Sequence, residues 1–376
     1  MKRSLIILLG CSSLFTFAQE KKVKNADEMV MEQTNHEGLS AMQKQFQLQW
    51  EKDQSEVQKF SKKYNIPIFQ ELSDGGVLML RRIDAQGHPV FVRTDNANAL
   101  RTISTNKVVA GGISGLNLDG NGVRLGEWDG GAVRSTHREF APASGTGSRI
   151  TVVDNVATNS HSTHVAGTIL SKGVSANAIG MAVNARLRSF DFNNDLTEMS
   201  SEASSGMILS NHSYGIPGGW SFNNTWYWYG NPTISAVEDY NFGLYDSEAR
   251  DWDNLAFNAP YYLMVKSAGN NRNESWNGSH QVMVNGTWTS STARRNSDGT
   301  FDNMTGSANS KNILVVGSAQ DLTNGWTSAS AVRISTFSST GPTDDGRIKP
   351  DIMANGDDLT SCNNTSDQAY TAMGGT

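Results

Sequence analysis

The sequence predicts an α/β domain with a doubly wound, mostly parallel sheet and helices on both faces, preceded by a small α+β unit. Two runs, "YYLMVKSAGN" (261–270) and "NILVVGSA" (312–319), are continuously apolar over strand length, as parallel strands buried on both faces are. Shorter apolar bursts alternate with helical stretches, the order that builds a doubly wound sheet. Ahead of them a polar helical stripe and a hairpin form a unit too small to bury its own apolar faces.

The N-terminal stretch "MKRSLIILLGCSSLFTFAQE" opens with Lys2 and Arg3, continues apolar, and offers Thr16 and Ala18 at the positions a signal peptidase reads. It predicts export, with residues 1–18 removed before Gln19. Acylation of Cys11 as a lipoprotein signal is the minority alternative. The apolar run is too short for a membrane span. From Leu39 to Tyr64, Met42, Phe46, Trp50, Val57 and Phe60 fall on one helical stripe. "GGVLMLRRIDAQGHPVFVRTDN" (75–96) reads as two strands around an Ala-Gln-Gly turn. "NALRTISTNKVVAGG" (98–112) then leads into a region rich in Gly, Asn and Ser.

In that region "GVRLGEWD" (122–129), "RITVVD" (149–154) and "ARLRSFDF" (185–192) read as strands, "THVAGTIL" (163–170) begins a helix, and 234–257 contains helical spacing. Two segments look inserted. Residues 215–232 are crowded with aromatics, and residues 285–307 are polar and turn-forming. The aromatic segment reads as a self-packed surface loop, with a carbohydrate or substrate platform as the alternative.

Over 376 residues the net charge is -6, which argues against a general polyanion binder. Residues 21–110 carry net +2 and residues 111–376 net -9. With Cys11 in the leader, Cys362 stands alone in the mature chain, so no disulfide staples the fold. "GGISGLNLDG" (111–120) lacks the strand-to-helix setting of a nucleotide loop.

Asp129 closes a strand and is followed by two glycines; His161 enters a helix in "NSHSTHVAG". A carboxylate at a strand end and an imidazole at a helix start suit an orienting pair, in which the acid fixes the histidine tautomer and stabilises the imidazolium. "NSHSTHVAGTI" resembles the histidine motif of the subtilisin-like serine proteases, and "EWDGG" with "THREF" resembles their aspartate motif. "SAGNN" resembles their oxyanion-asparagine segment, and "FSSTGPTDDGRIKPDIMANG" (337–356) the stretch before their nucleophile.

This resemblance, over residues 121–376, implies a subtilisin-like fold with Asp129 as acid, His161 as general base and Asn270 as oxyanion donor. It implies that Ser213, Tyr214 and Gly215 of "NHSYG" contact substrate, and that residues 19–108 are an inhibitor-like propeptide of a catalytic domain starting near 109. "KVVAGG" (107–112) is a neighbourhood for its release. Ser162 stands where the family usually has glycine. Matching "GGT" (374–376) to the family's nucleophile motif places the serine immediately after Thr376, so the chain as given carries no nucleophile and is expected to be an inactive part of a longer enzyme.

The implied activity is endopeptidase cleavage of polypeptides by a secreted or periplasmic protein, with its own propeptide as inhibitor and no nucleic-acid partner. No cofactor is required for the chemistry; structural calcium is possible in the family, and the acidic cluster "DFNNDLTE" (191–198) is either a calcium holder or loop charge. Rival readings are an inactive peptide- or glycan-binding module and a metal hydrolase using Asp129, His161 and His164, against which zinc's strict geometry weighs.

Overall fold

The computed structural model describes residues 26–71, 77–84, 87–94, 102–144, 146–322, 325–357 and 359–376. The leader with Cys11, and the Ala85-Gln86 part of the hairpin turn, lie outside the described residues. Two N-terminal helices, α1 (Ala26–Gln33) and α2 (His36–Tyr64), precede β1 (Phe69–Glu71), β2 (Val77–Ile83) and β3 (Pro89–Thr94). The first part of the larger region holds β4 (Arg124–Asp129), β5 (Ile150–Val152), α3 (Ser160–Leu170), β6 (Arg186–Asp191), α4 (Asp195–Ser204) and β7 (Leu209–His212). Then come β8 (Tyr214–Gly215), β9 (Trp220–Asn223), β10 (Thr225–Trp228), α5 (Ser247–Asn258) and β11 (Leu263–Ser267). Strands β12 (His280–Val284), β13 (Thr287–Ser291), β14 (Leu314–Ala319), β15 (Ile352–Asn355), β16 (Leu359–Cys362) and β17 (Tyr370–Met373) complete the chain.

Seven strands form one wholly parallel sheet in the order β15-β14-β11-β7-β4-β6-β5. The order reverses at β4, so the strands' C-terminal ends on either side of it open a crevice where α/β sheets bind ligands. One face of the sheet is filled by Trp128, Phe190, Met199, Trp252 and Met264, the other by Leu125, Phe140, Ala166, Leu170 and Leu187. Full burial of a side chain of this size contributes about 1.5–3 kcal/mol.

The stripe on α2 is present: Leu39, Phe46, Val57 and Phe60 are buried. Its two ends serve different partners. Leu39 joins the cluster of Phe190, Met199 and Trp252, whereas Val57 and Phe60 pack with Leu80, Phe91 and Met283. Strand β3 pairs with β8 as well as β2, in the order β1-β2-β3-β8. The N-terminal unit thus finds its missing partner surface on α4, α5 and the inserted strands.

The inserted segments are more ordered than their composition suggests. Strands β9, β10, β12 and β13 make a second sheet, order β13-β12-β10-β9. Its β12–β13 turn is Asn285-Gly286, both at positive φ (48° and 79°), the Asn-Gly hairpin signal that the polar reading of 285–307 passed over. Trp220 and Trp228 are buried, and Trp226 stacks on Trp276 with centroids 5.2 Å apart, so most of the aromatic surface is spent on the sheet itself.

Within 234–257 only Ser247–Asn258 is helical, started by the Asp246 side chain accepting from Ala249 N. Among the described residues no helix is long and apolar enough to cross a membrane.

Candidate active site

Asp129 ends β4 at the crevice, and His161 lies in the first turn of α3. The helix begins where it does because Asn159 caps it, its carboxamide oxygen accepting from His161 N (2.7 Å) and Ser162 N (3.3 Å). That cap aims the imidazole at the strand end. His161 Nδ1 stands 2.7 Å from Asp129 Oδ1 and 2.9 Å from Oδ2, with both residues buried. Asp129 Oδ1 also accepts from Gly130 N (2.6 Å) and Ser162 Oγ (3.2 Å). A carboxylate so held fixes Nδ1 as the protonated nitrogen, leaving Nε2 on the far side of the ring as the basic one.

Glu127, two residues earlier on β4, is fully buried, and among the described residues neither of its carboxyl oxygens has a hydrogen-bond partner. Burial, then the neighbouring Asp129 carboxylate, pushes it well above the usual carboxylate range. His164 is turned away from this pair: its Nε2 meets the Leu359 carbonyl at 2.8 Å, and burial lowers it to about 4.

Asn270 follows β11 at the same end of the sheet. Strand β7 separates β4 from β11, and Trp128, His212 and Lys266 lie in one register row, so the ends of β4 and β11 are roughly 10 Å apart, two strand spacings. Asn270 Oδ1 accepts from Thr376 N (3.1 Å) and Thr376 Oγ1 (3.2 Å), and Gly269 N donates to Thr376 Oγ1 (3.0 Å). Gly269, at φ 104°, permits that approach. The β16–β17 hairpin leads Thr376 there, docked on α3 by Ser361 Oγ donating to the His164 carbonyl (2.8 Å). Residues 374–376 therefore run from the histidine helix to the asparagine. Beside Asn270 opens a cleft of about 340 Å³, counted to its mouth, lined by Gly215, Ile216, Ala268 and Thr305 among others.

Residues 135–376 match the model of the subtilase family, peptidase S8. The chain belongs to the subtilase family. Among solved structures it is similar to the CspB protease of Clostridium perfringens, at 13% identity and a TM-score of 0.50, over 74% of this chain and 84% of that one. It is also similar to the patellamide maturation protease PatG, at 14% identity and a TM-score of 0.40, over 69% of this chain and 72% of that one. No curated protein sequence matches the chain.

In this subtilase the resemblance-based residues fall into two groups. Asp129 and His161 are in contact, and Asn270 is in contact with Thr376. Of Ser213, Tyr214 and Gly215, only Gly215 lines the cleft. The Tyr214 side chain is turned into the core, where its hydroxyl donates to Asp195 Oδ2 (2.8 Å), so only its backbone is left for a peptide. Ser213 Oγ accepts from Asn211 Nδ2 (3.1 Å), and Gly215 lines the cleft directly.

Ser162 was legible as a departure from glycine but not as a donor to Asp129. The segment 191–198 runs from the end of β6 through a short turn at 192–194 into α4, which starts at Asp195, and its acids are engaged by protein donors. Asp195 meets Arg81 and Tyr214, Asp191 Oδ1 accepts from Asn193 N (2.6 Å), and Glu198 Oε2 accepts from Trp128 Nε1 (2.9 Å). Among the described residues no three His, Cys, Asp or Glu side chains are grouped to hold a metal ion.

Cys362 is free and buried against Ser171 Oγ (3.2 Å), its thiol pushed up to about 12 by burial, so it is a packing residue.

Proposed function

We propose that the complete protein is an exported serine endopeptidase, its nucleophile a serine directly following Thr376. The observation that carries this reading is the grip of the Asp129 carboxylate on His161 Nδ1 at the mouth of the parallel sheet. In the proposed reaction His161 Nε2 takes the serine proton as the hydroxyl attacks the scissile carbonyl, and Asp129 stabilises the imidazolium that forms. The Asn270 carboxamide nitrogen donates to the oxygen that becomes negative, an interaction of about 3–4 kcal/mol in enzymes of this mechanism. His161 then protonates the leaving amine and activates the water that deacylates the enzyme. These steps require no cofactor.

The N-terminal residues 19–108 act in this reading as a propeptide that covers the enzyme until cut. Its support is the pairing of β3 with β8, where Arg93 lies opposite Gly215 and Thr94 opposite Tyr214, along the strand to which an extended substrate would add.

His161→Ala in the complete protein is expected to leave the two parts joined and to abolish peptide cleavage. Gel analysis of processing and a peptide assay on purified mutant check it; normal processing and turnover would rule out the base.

A further inference from the structure

The cleft beside Asn270 contains a charge that the peptidase chemistry does not use. Its wall includes Gly215, Lys266, Ala268, Gly269, Thr305 and Ala308, and among the described residues lining it none is acidic. Small residues line it, Gly215 among them, whose backbone lies close enough that a Cβ there would be in van der Waals contact with Lys266 Nζ at 3.5 Å. Lys266 is 2% exposed. Its Nζ donates to Ser267 Oγ at 3.0 Å and stands 5.1 Å from the centroid of the Tyr214 ring. The other polar side chains of the wall, Ser267, Asn270, Asn271 and Thr305, are neutral.

Strand β8, which supplies Gly215, is also the edge on which β3 lies as an extended antiparallel strand, so a peptide held there passes the cleft with its side chains alternating in direction. A carboxylate entering the cleft gains a charge-assisted contact with the ammonium. An apolar side chain entering the cleft would offer the buried ammonium no acceptor.

We propose that this cleft takes an acidic side chain of the substrate and that Lys266 sets the preference, directing cleavage after Asp or Glu. The assignment rests on the peptidase reading above. The chain's own sequence carries a matching residue: Asp95 follows Thr94, and it is the last acid before Asp119.

The test uses the complete protein and peptides of the form Phe-Val-Arg-Thr-X, extended beyond X, with X as Asp, Asn, Glu, Gln or Phe. Asp is expected to exceed Asn, and Glu to exceed Gln, by about 10- to 100-fold in kcat/KM. Lys266→Met is expected to bring the Asp-to-Asn ratio to within about threefold. Terminal sequencing of the self-processed protein is expected to find a new N-terminus at Asn96, inside the 19–108 segment, in place of the 107–112 neighbourhood that the resemblance implies.

Equal cleavage of the acid and amide peptides by wild type overturns the proposal, whatever the mutant's yield, and so does a new N-terminus within 107–112. Labelling of wild type by a serine-directed fluorophosphonate separates the two readings. A labelled enzyme without acid preference sinks the cleft assignment alone; an unlabelled one sinks the peptidase reading and the cleft with it.

Discussion

At the scale of single residues the site is a carboxylate with more donors than a turn would need. Asp129 receives Gly130 N, Ser162 Oγ and His161 Nδ1, so its orientation is over-determined before any substrate arrives. Asp129→Asn would present an amide to the same ring and favour the wrong tautomer. The expected result in the complete enzyme is a fall in kcat of about 10⁴-fold with little change in KM, read by steady-state kinetics. A fall below tenfold would mean that Asp129 is structural. Asp129 and His161 were legible as candidates because each lies in a short, contiguous motif. The Ser162 contact was not, because it depends on where α3 meets β4, a distance that no run of sequence encodes.

At the scale of elements α4 shows how packing overrides a polar composition. Its Glu198 is drawn under the sheet, where it accepts from Trp128 Nε1, and burial followed by repulsion from Asp154 raises it from 4.5 to about 9. A carboxyl raised in the folded state holds its proton more tightly there than in the unfolded chain. Its contribution is therefore fully present at low pH and is lost as pH rises from about 4.5 towards about 9. Glu198→Gln keeps an acceptor for Trp128 and removes the titration. In thermal melts the mutant is expected to gain on wild type steadily across that window, and a difference independent of pH would contradict the burial account. Burial raises Asp191 to about 6 as well, adding a second loss of the same sign at the lower end of the window.

At the scale of the whole molecule the N-terminal unit and the larger region share their cores. Leu39 of α2 is completely buried among residues of the parallel sheet and its helices, and β3 completes a sheet with β8. If residues 19–108 are the inhibitor, that segment added in trans should inhibit the processed enzyme, and Leu39→Ala in it should weaken inhibition by roughly 30-fold or more, given that such a truncation costs about 2–5 kcal/mol. Inhibition titrations check this; an unchanged inhibition constant would place the segment's hold elsewhere.

The sequence by itself determined the parallel strands and singled out Asp129, His161 and Asn270 as candidates, since each follows from apolar periodicity or a contiguous motif. Only the tertiary structure decided that an Asn-Gly turn brings Thr287–Ser291 into a second sheet with the aromatic segment, that Tyr214 faces inward, and that Lys266 lies in the wall of the cleft. The reason is physical: strand partners and cleft walls are assembled from residues far apart in the chain, and their choice is made by which faces can be buried together.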